Sequence, residues 1–145
     1  MNTTFTKILL CFLPAFLLLS CGETDTANEY MSLPRQIDHL IENDEYEEAL
    51  VLLANEDSSD PETRTLLEKT HLNYGFYSMN TFDQTEMRTR MNNALVQFTE
   101  VLRINPENNT AREQIDQIMS VYATMPDRAP REDVLEGLRE VGLNY

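Results

Sequence analysis

This 145-residue sequence predicts an all-α fold of about six helices, paired as antiparallel hairpins. Three observations carry the prediction. Apolar residues recur at three- and four-residue spacing from Leu33 to Val141, the period of a helix with one buried face. No segment alternates apolar and polar residues as a half-buried strand would. Asn, Asp and Pro interrupt the pattern at Asn43-Asp44, Asp60-Pro61, Asn105-Pro106 and Met125-Pro126.

Leu33, Ile37, Leu40 and Ile41 mark the first helix, which stops at Asn43-Asp44. Asp44 is placed to cap the second helix, with Glu47 completing a capping-box-like pair and Ala49, Leu50 and Leu53 forming the apolar side. Helix-start electrostatics then account for the acidic run from Glu42 to Glu48. That run lacks the alternating ligands, central glycine and distal glutamate of a calcium-binding EF-hand loop.

The third helix starts at Asp60-Pro61, acid as cap and proline in the first turn, and runs to about Met79. It has two apolar faces. Leu66, Leu67, Tyr74 and Tyr77 lie on one, and Leu72, Phe76 and Met79 nearly opposite, so this helix is expected to sit between neighbours. A loop at 80–85 leads to the fourth helix, expected to be the longest, with Met87, Met91, Ala94, Leu95, Phe98, Val101 and Leu102 in step until Asn105-Pro106. A fifth helix over 107–124 presents Ala111, Ile115, Ile118, Met119 and Tyr122. The sixth, over 130–143, presents Val134, Leu135, Leu138 and Val141.

The first 20 residues read differently. Lys7 is followed by an apolar run from Ile8 to Leu19 and then by the small Ser20, the three parts of an export signal. The run is short of the roughly 20 residues of a membrane-spanning helix, and Glu23 and Asp25 follow closely. Leu18-Leu19-Ser20-Cys21-Gly22 resembles the lipobox of bacterial lipoproteins. The resemblance implies that residues 1–20 are removed and that Cys21 becomes a lipidated amino terminus. Two or three acyl chains, at about 0.8 kcal/mol per buried methylene, suffice for stable anchoring. Residues 21–30 are then a polar, acidic tether, and Cys11 leaves with the signal. In lipoproteins sorted by the enterobacterial rule, aspartate after the cysteine retains the protein in the inner membrane; Gly22 stands there instead, so the resemblance favours the outer membrane of a bacterial envelope.

A second resemblance concerns the helices. Ala49, Leu53 and Pro61 stand at Ala-x3-Leu-x7-Pro, and Ala94, Phe98 and Pro106 at Ala-x3-Phe-x7-Pro. Both triples look like the second-helix signature of the tetratricopeptide repeat, a helical hairpin of about 34 residues. Alanine permits close helix approach, the bulky residue one turn on fills the groove, and proline ends the helix. The match departs from the family in its weak first-helix pattern and in a spacing of 45 between Ala49 and Ala94. If the excess lengthens the second hairpin, Gly75 is expected to cross close to Ala94. The resemblance implies a short solenoid of stacked hairpins over 31–126, with 127–145 as a capping helix.

Composition limits function. The formal net charge is −14, and removing the signal takes away Lys7 and no acid. Nucleic acid and anionic lipid surfaces are poor partners for such a chain. His39 and His71 stand alone, without metal-ligand spacing, and no phosphate loop or nucleophile elbow is present in the sequence. No catalysis and no cofactor are expected. The remaining expectation is a non-catalytic scaffold or accessory subunit that binds a protein partner in the envelope and meets the membrane through Cys21. The partner-contact residues are Tyr74, Phe76 and Tyr77, since aromatic rings give large contact area at low entropy cost. Met79, Met87 and Met91 form a second adaptable set near the hairpin tip. The alternative is a peptide- or glycan-binding accessory lipoprotein with its pocket in the long hairpin.

Overall fold

The structure is a computed structural model that describes residues 31–81, 86–125 and 127–145. The signal segment, Cys21 and the tether lie outside the described residues, as do Pro126 and most of the 80–85 loop. Among the described residues the fold is all-α. Its helices are α1 (Leu33–Glu42), α2 (Tyr46–Leu53), α3 (Pro61–Asn80), α4 (Met87–Ile104), α5 (Asn109–Ala123) and α6 (Glu132–Glu140). The longest is α3, with 20 residues against 18 in α4, a correction to the expected order.

Helix starts follow the capping chemistry in two places. Asp60 accepts from the Thr63 amide at 2.9 Å with Pro61 in the first turn, and Asn108 accepts from the Ala111 amide at 2.9 Å. The Asn108 cap moves the start of α5 two residues beyond the expected position. At the head of α2 the expectation fails: Glu45 occupies the cap position and no side chain caps it. Asp44 instead closes α1. Its φ is 62°, in the left-handed region, with the Asp44 amide bonded to the Ile41 carbonyl and the Glu45 amide to the Leu40 carbonyl. That pairing is the Schellman motif usually completed by glycine, and it leaves Asp44 unable to begin the next helix.

The same motif ends α6 early. Gly142 has φ 84°, its amide bonds the Arg139 carbonyl, and the Leu143 amide bonds the Leu138 carbonyl. At the other end, the Arg131 amide donates to Asn92 Oδ1 at 2.8 Å, which ties the segment before α6 to α4 and delays the helix to Glu132.

Two apolar cores form, and α3 contributes to both. Ile37, Ala49, Leu53 and Leu66 are the buried centre of the smaller one, with Leu33, Leu40, Ile41, Leu52 and Leu67 around them. The larger gathers Ala94, Leu95, Phe98, Val101 and Leu102 of α4, four residues of α5, and Val134 and Leu138 of α6. Leu72, Phe76 and Met79 of α3 pack against it. The two-faced reading of α3 is therefore realised in space. Packing is most extensive between α3 and α4, while α5 and α6 each pack on α4.

The α3–α4 contact is close because Gly75 has no side chain. A Cβ there would stand 2.5 Å from Phe98 Cε1. The residue crossing Gly75 is thus Phe98, one helical turn beyond the expected Ala94, and its ring occupies the space that the glycine leaves. Ala49 and Ala94, the alanines of the two repeat-like triples, are both fully buried.

Candidate functional site

The tyrosines of α3 meet a third tyrosine from α2. Tyr74 and Tyr77 are three residues apart and so share one side of their helix. Tyr46, the first residue of α2, lies parallel to Tyr74 with ring centroids 5.0 Å apart and is tilted against Tyr77 at 5.3 Å. Phe76 is not part of this cluster. It points to the opposite face and meets Phe98 edge-on at 5.5 Å, against the larger core. The structure thus separates the three aromatic residues singled out from sequence into a pair at the surface and one packed inward.

Carboxylates border the cluster. The Tyr46 hydroxyl donates to Asp44 Oδ1 at 3.2 Å and the Tyr74 hydroxyl to Glu47 Oε1 at 3.1 Å. Burial, then the hydrogen bond it donates to Asp44, pushes the Tyr46 phenol up to about 12. Burial and Glu47 raise that of Tyr74 as well. Both rings are therefore neutral phenols at physiological pH. A hollow of about 160 Å³ is lined by Asp44, Tyr46, Glu47, Glu48, Tyr74 and Tyr77.

Tyr74 and Tyr77 also line a larger cleft, about 550 Å³, between α3, α4 and Arg131. Ser78, Thr89 and Asn93 supply neutral hydrogen-bonding groups, and Arg90 and Arg131 supply cations. The Arg90 guanidinium stands 5.8 Å from the Tyr77 ring centroid, within cation–π range, while its Nε donates to Glu86 at 2.8 Å. Arg131 is paired with Asp133 at 2.8 Å.

The floor of this cleft continues into a line of polar side chains between α3 and α4. The Asn93 amide donates to Ser78 Oγ at 2.8 Å, the Gln97 amide donates to Asn93 Oδ1 at 3.2 Å, and His71 Nδ1–H donates to Gln97 Oε1 at 2.8 Å. Burial lowers the His71 pKa, against the Gln97 hydrogen bond and the Glu100 charge, which raise it. His71 is thus a satisfied interface residue. No group of three His, Cys, Asp or Glu side chains that could hold a metal occurs among the described residues.

Of the methionine set, Met79 and Met91 pack against the larger core and Met87 is half-buried. A further apolar hollow of about 620 Å³ lies by α5 and α6, with Met119, Tyr122, Pro130, Leu135 and Tyr145 in its wall. The Tyr145 hydroxyl donates to Asp116 Oδ1 at 2.5 Å. No described helix is long and apolar enough to cross a membrane.

The sequence reading missed Tyr46, Asp44 and Arg90. Tyr46 and Tyr74 are 28 positions apart, a spacing set by how α2 lies on α3 and carried by no local pattern. The separation of Phe76 from Tyr74 and Tyr77, by contrast, follows from about 100° per residue and was legible. Comparison with protein families, with curated proteins and with solved structures returns no match to this chain.

Proposed function

We propose that this chain is a lipid-anchored envelope protein, a non-catalytic scaffold whose stacked helical hairpins hold another protein at a bacterial membrane, by preference the outer one. The anchor is supported by the sequence alone: the short apolar run, the Leu-Leu-Ser-Cys-Gly ending, and the acidic stretch after it. The binding role is supported by one observation above the others. Tyr74 and Tyr77, on a helix already committed to two cores, remain only half-buried and line two separate hollows. Large aromatic rings left at such a position are characteristic of recognition surfaces.

The polar lining of the 550 Å³ cleft favours the second reading, an accessory protein that holds a peptide or glycan fragment there. Both readings share the site and differ in the partner. Crosslinking and affinity capture of the native lipidated protein separates them: the scaffold predicts a defined protein complex, and its absence with glycan binding by the isolated chain contradicts it. For the anchor, Cys21→Ser should release the protein from membranes or block its processing. Unchanged mass and membrane association contradict lipidation.

A further inference from the structure

We infer that the acid-lined hollow over Tyr46, Tyr74 and Tyr77 seats one arginine or lysine side chain from a segment of the partner protein. The inference rests on the binding role proposed above and gives it a chemistry. Three aromatic rings from two helices and three carboxylates, Asp44, Glu47 and Glu48, converge on a space of about 160 Å³, the scale of a guanidinium or ammonium head with part of its stem. Tyr46 and Tyr74 give one face each to their own stack, and Tyr77 one to Arg90; the second face of each ring carries the negative quadrupole density that holds a cation more strongly as water is excluded.

The acids are positioned for this role. Tyr46 and Tyr74 each donate one hydrogen bond to a carboxylate, which fixes Asp44 and Glu47 beside the rings and leaves further lone pairs open on each. Residues 42–62 hold nine acids and no Lys, Arg or His to neutralise them, so the local field favours an incoming cation. The chain already uses the outer ring of the cluster in this way, since Arg90 lies over Tyr77 from the cleft side. No Lys or Arg is among the described residues that line the hollow, so a cation there comes from a partner. Phosphate-bearing partners are repelled by the acids, and an organic cation suits aromatic walls better than a tightly hydrated metal ion.

The test uses the full chain in detergent micelles and the capped peptide Gly-Ser-Gly-Arg-Gly-Ser-Gly, with a citrulline counterpart of the same shape and no charge. Calorimetric titration should show the arginine peptide binding at least about tenfold more tightly than the citrulline one. Glu47→Gln and Tyr77→Leu should each weaken it by roughly tenfold, while Glu113→Gln, an exposed acid of α5, should change it less than about twofold. Circular dichroism checks that Tyr77→Leu is folded; if it is not, the surface change Glu47→Gln decides. Equal binding of the citrulline peptide, no binding, or an equal loss from Glu113→Gln overturns the inference. So does displacement of the peptide by phosphatidylcholine vesicles, which would give the hollow to a lipid headgroup. A native partner captured undiminished by Glu47→Gln sinks the cradle and spares the scaffold; arginine-peptide binding with no native partner does the reverse.

Discussion

The two cores of this protein are built to different standards. The larger core gathers side chains from α3, α4, α5 and α6, its Phe98 has no exposure, and even the absence of a methyl at Gly75 is filled by that ring. Around Ile37 and Leu53 the buried centre is four residues, against eleven in the larger core. The tyrosine cluster stands between α2, which belongs to the small core, and α3, which belongs to both. The difference teaches where rigidity is held: the larger core fixes the platform of Tyr74 and Tyr77, and the smaller one brings Tyr46 and its acids up to it.

The largest expected effect comes from emptying the larger core. Phe98→Ala should cost about 3–5 kcal/mol in denaturant unfolding, because the ring is fully buried within the eleven-residue core and packed against Phe76 and Gly75, which leaves the cavity little room to collapse. Leu53→Ala in the smaller core should stay near the low end, about 2–3 kcal/mol, as a centre of only four buried residues relaxes more readily around the gap. Equal costs would erase the distinction between the two regions.

Overfilling comes next. Gly75→Ala sets a Cβ against the buried Phe98 ring and should destabilise by about 1–3 kcal/mol, overcoming the roughly 1 kcal/mol of helix propensity that alanine brings. A neutral or stabilising result would mean that the α3–α4 contact is loose.

Acid should act on the same contact. Burial lowers the His71 pKa from its ordinary 6.5, so below that value the unfolded chain takes up the proton more readily than the folded one. Stability gained from the neutral ring is therefore lost as pH falls from about 6.5 through the lowered folded value. His71→Gln should flatten that part of the stability curve measured by urea titration. An unchanged curve would remove His71 as its cause.

The smallest effect is a gain. Asp44→Gly relieves a left-handed residue and should stabilise by about 0.5–1 kcal/mol while weakening capture of the arginine peptide. Stability and binding moving together would contradict the assignment of Asp44 to both a turn and a site.

Much of this architecture was legible before any coordinates. Apolar spacing located six helices, Asp60-Pro61 marked the start of α3, and the opposed faces of α3 placed it between two groups of neighbours. Asp44 departs from its expected cap role because aspartate serves two local purposes, helix cap and left-handed turn, and which one prevails depends on how α1 finishes. The cross-helix meetings, Gly75 with Phe98 and Tyr46 with Tyr74, depend on the angle and register between helices. Periodicity within one helix carries no record of either.

We propose that the chain is held at the membrane through Cys21 and offers the tyrosine cluster to a basic segment of a partner. A photocrosslinking phenylalanine derivative at Glu48, compared with one at Glu113, tests this most directly in native membranes. The account predicts a discrete protein adduct from position 48 alone, reduced by Glu47→Gln and absent from membranes when Cys21→Ser releases the chain. No adduct, or the same adducts from both positions regardless of Glu47, would contradict it.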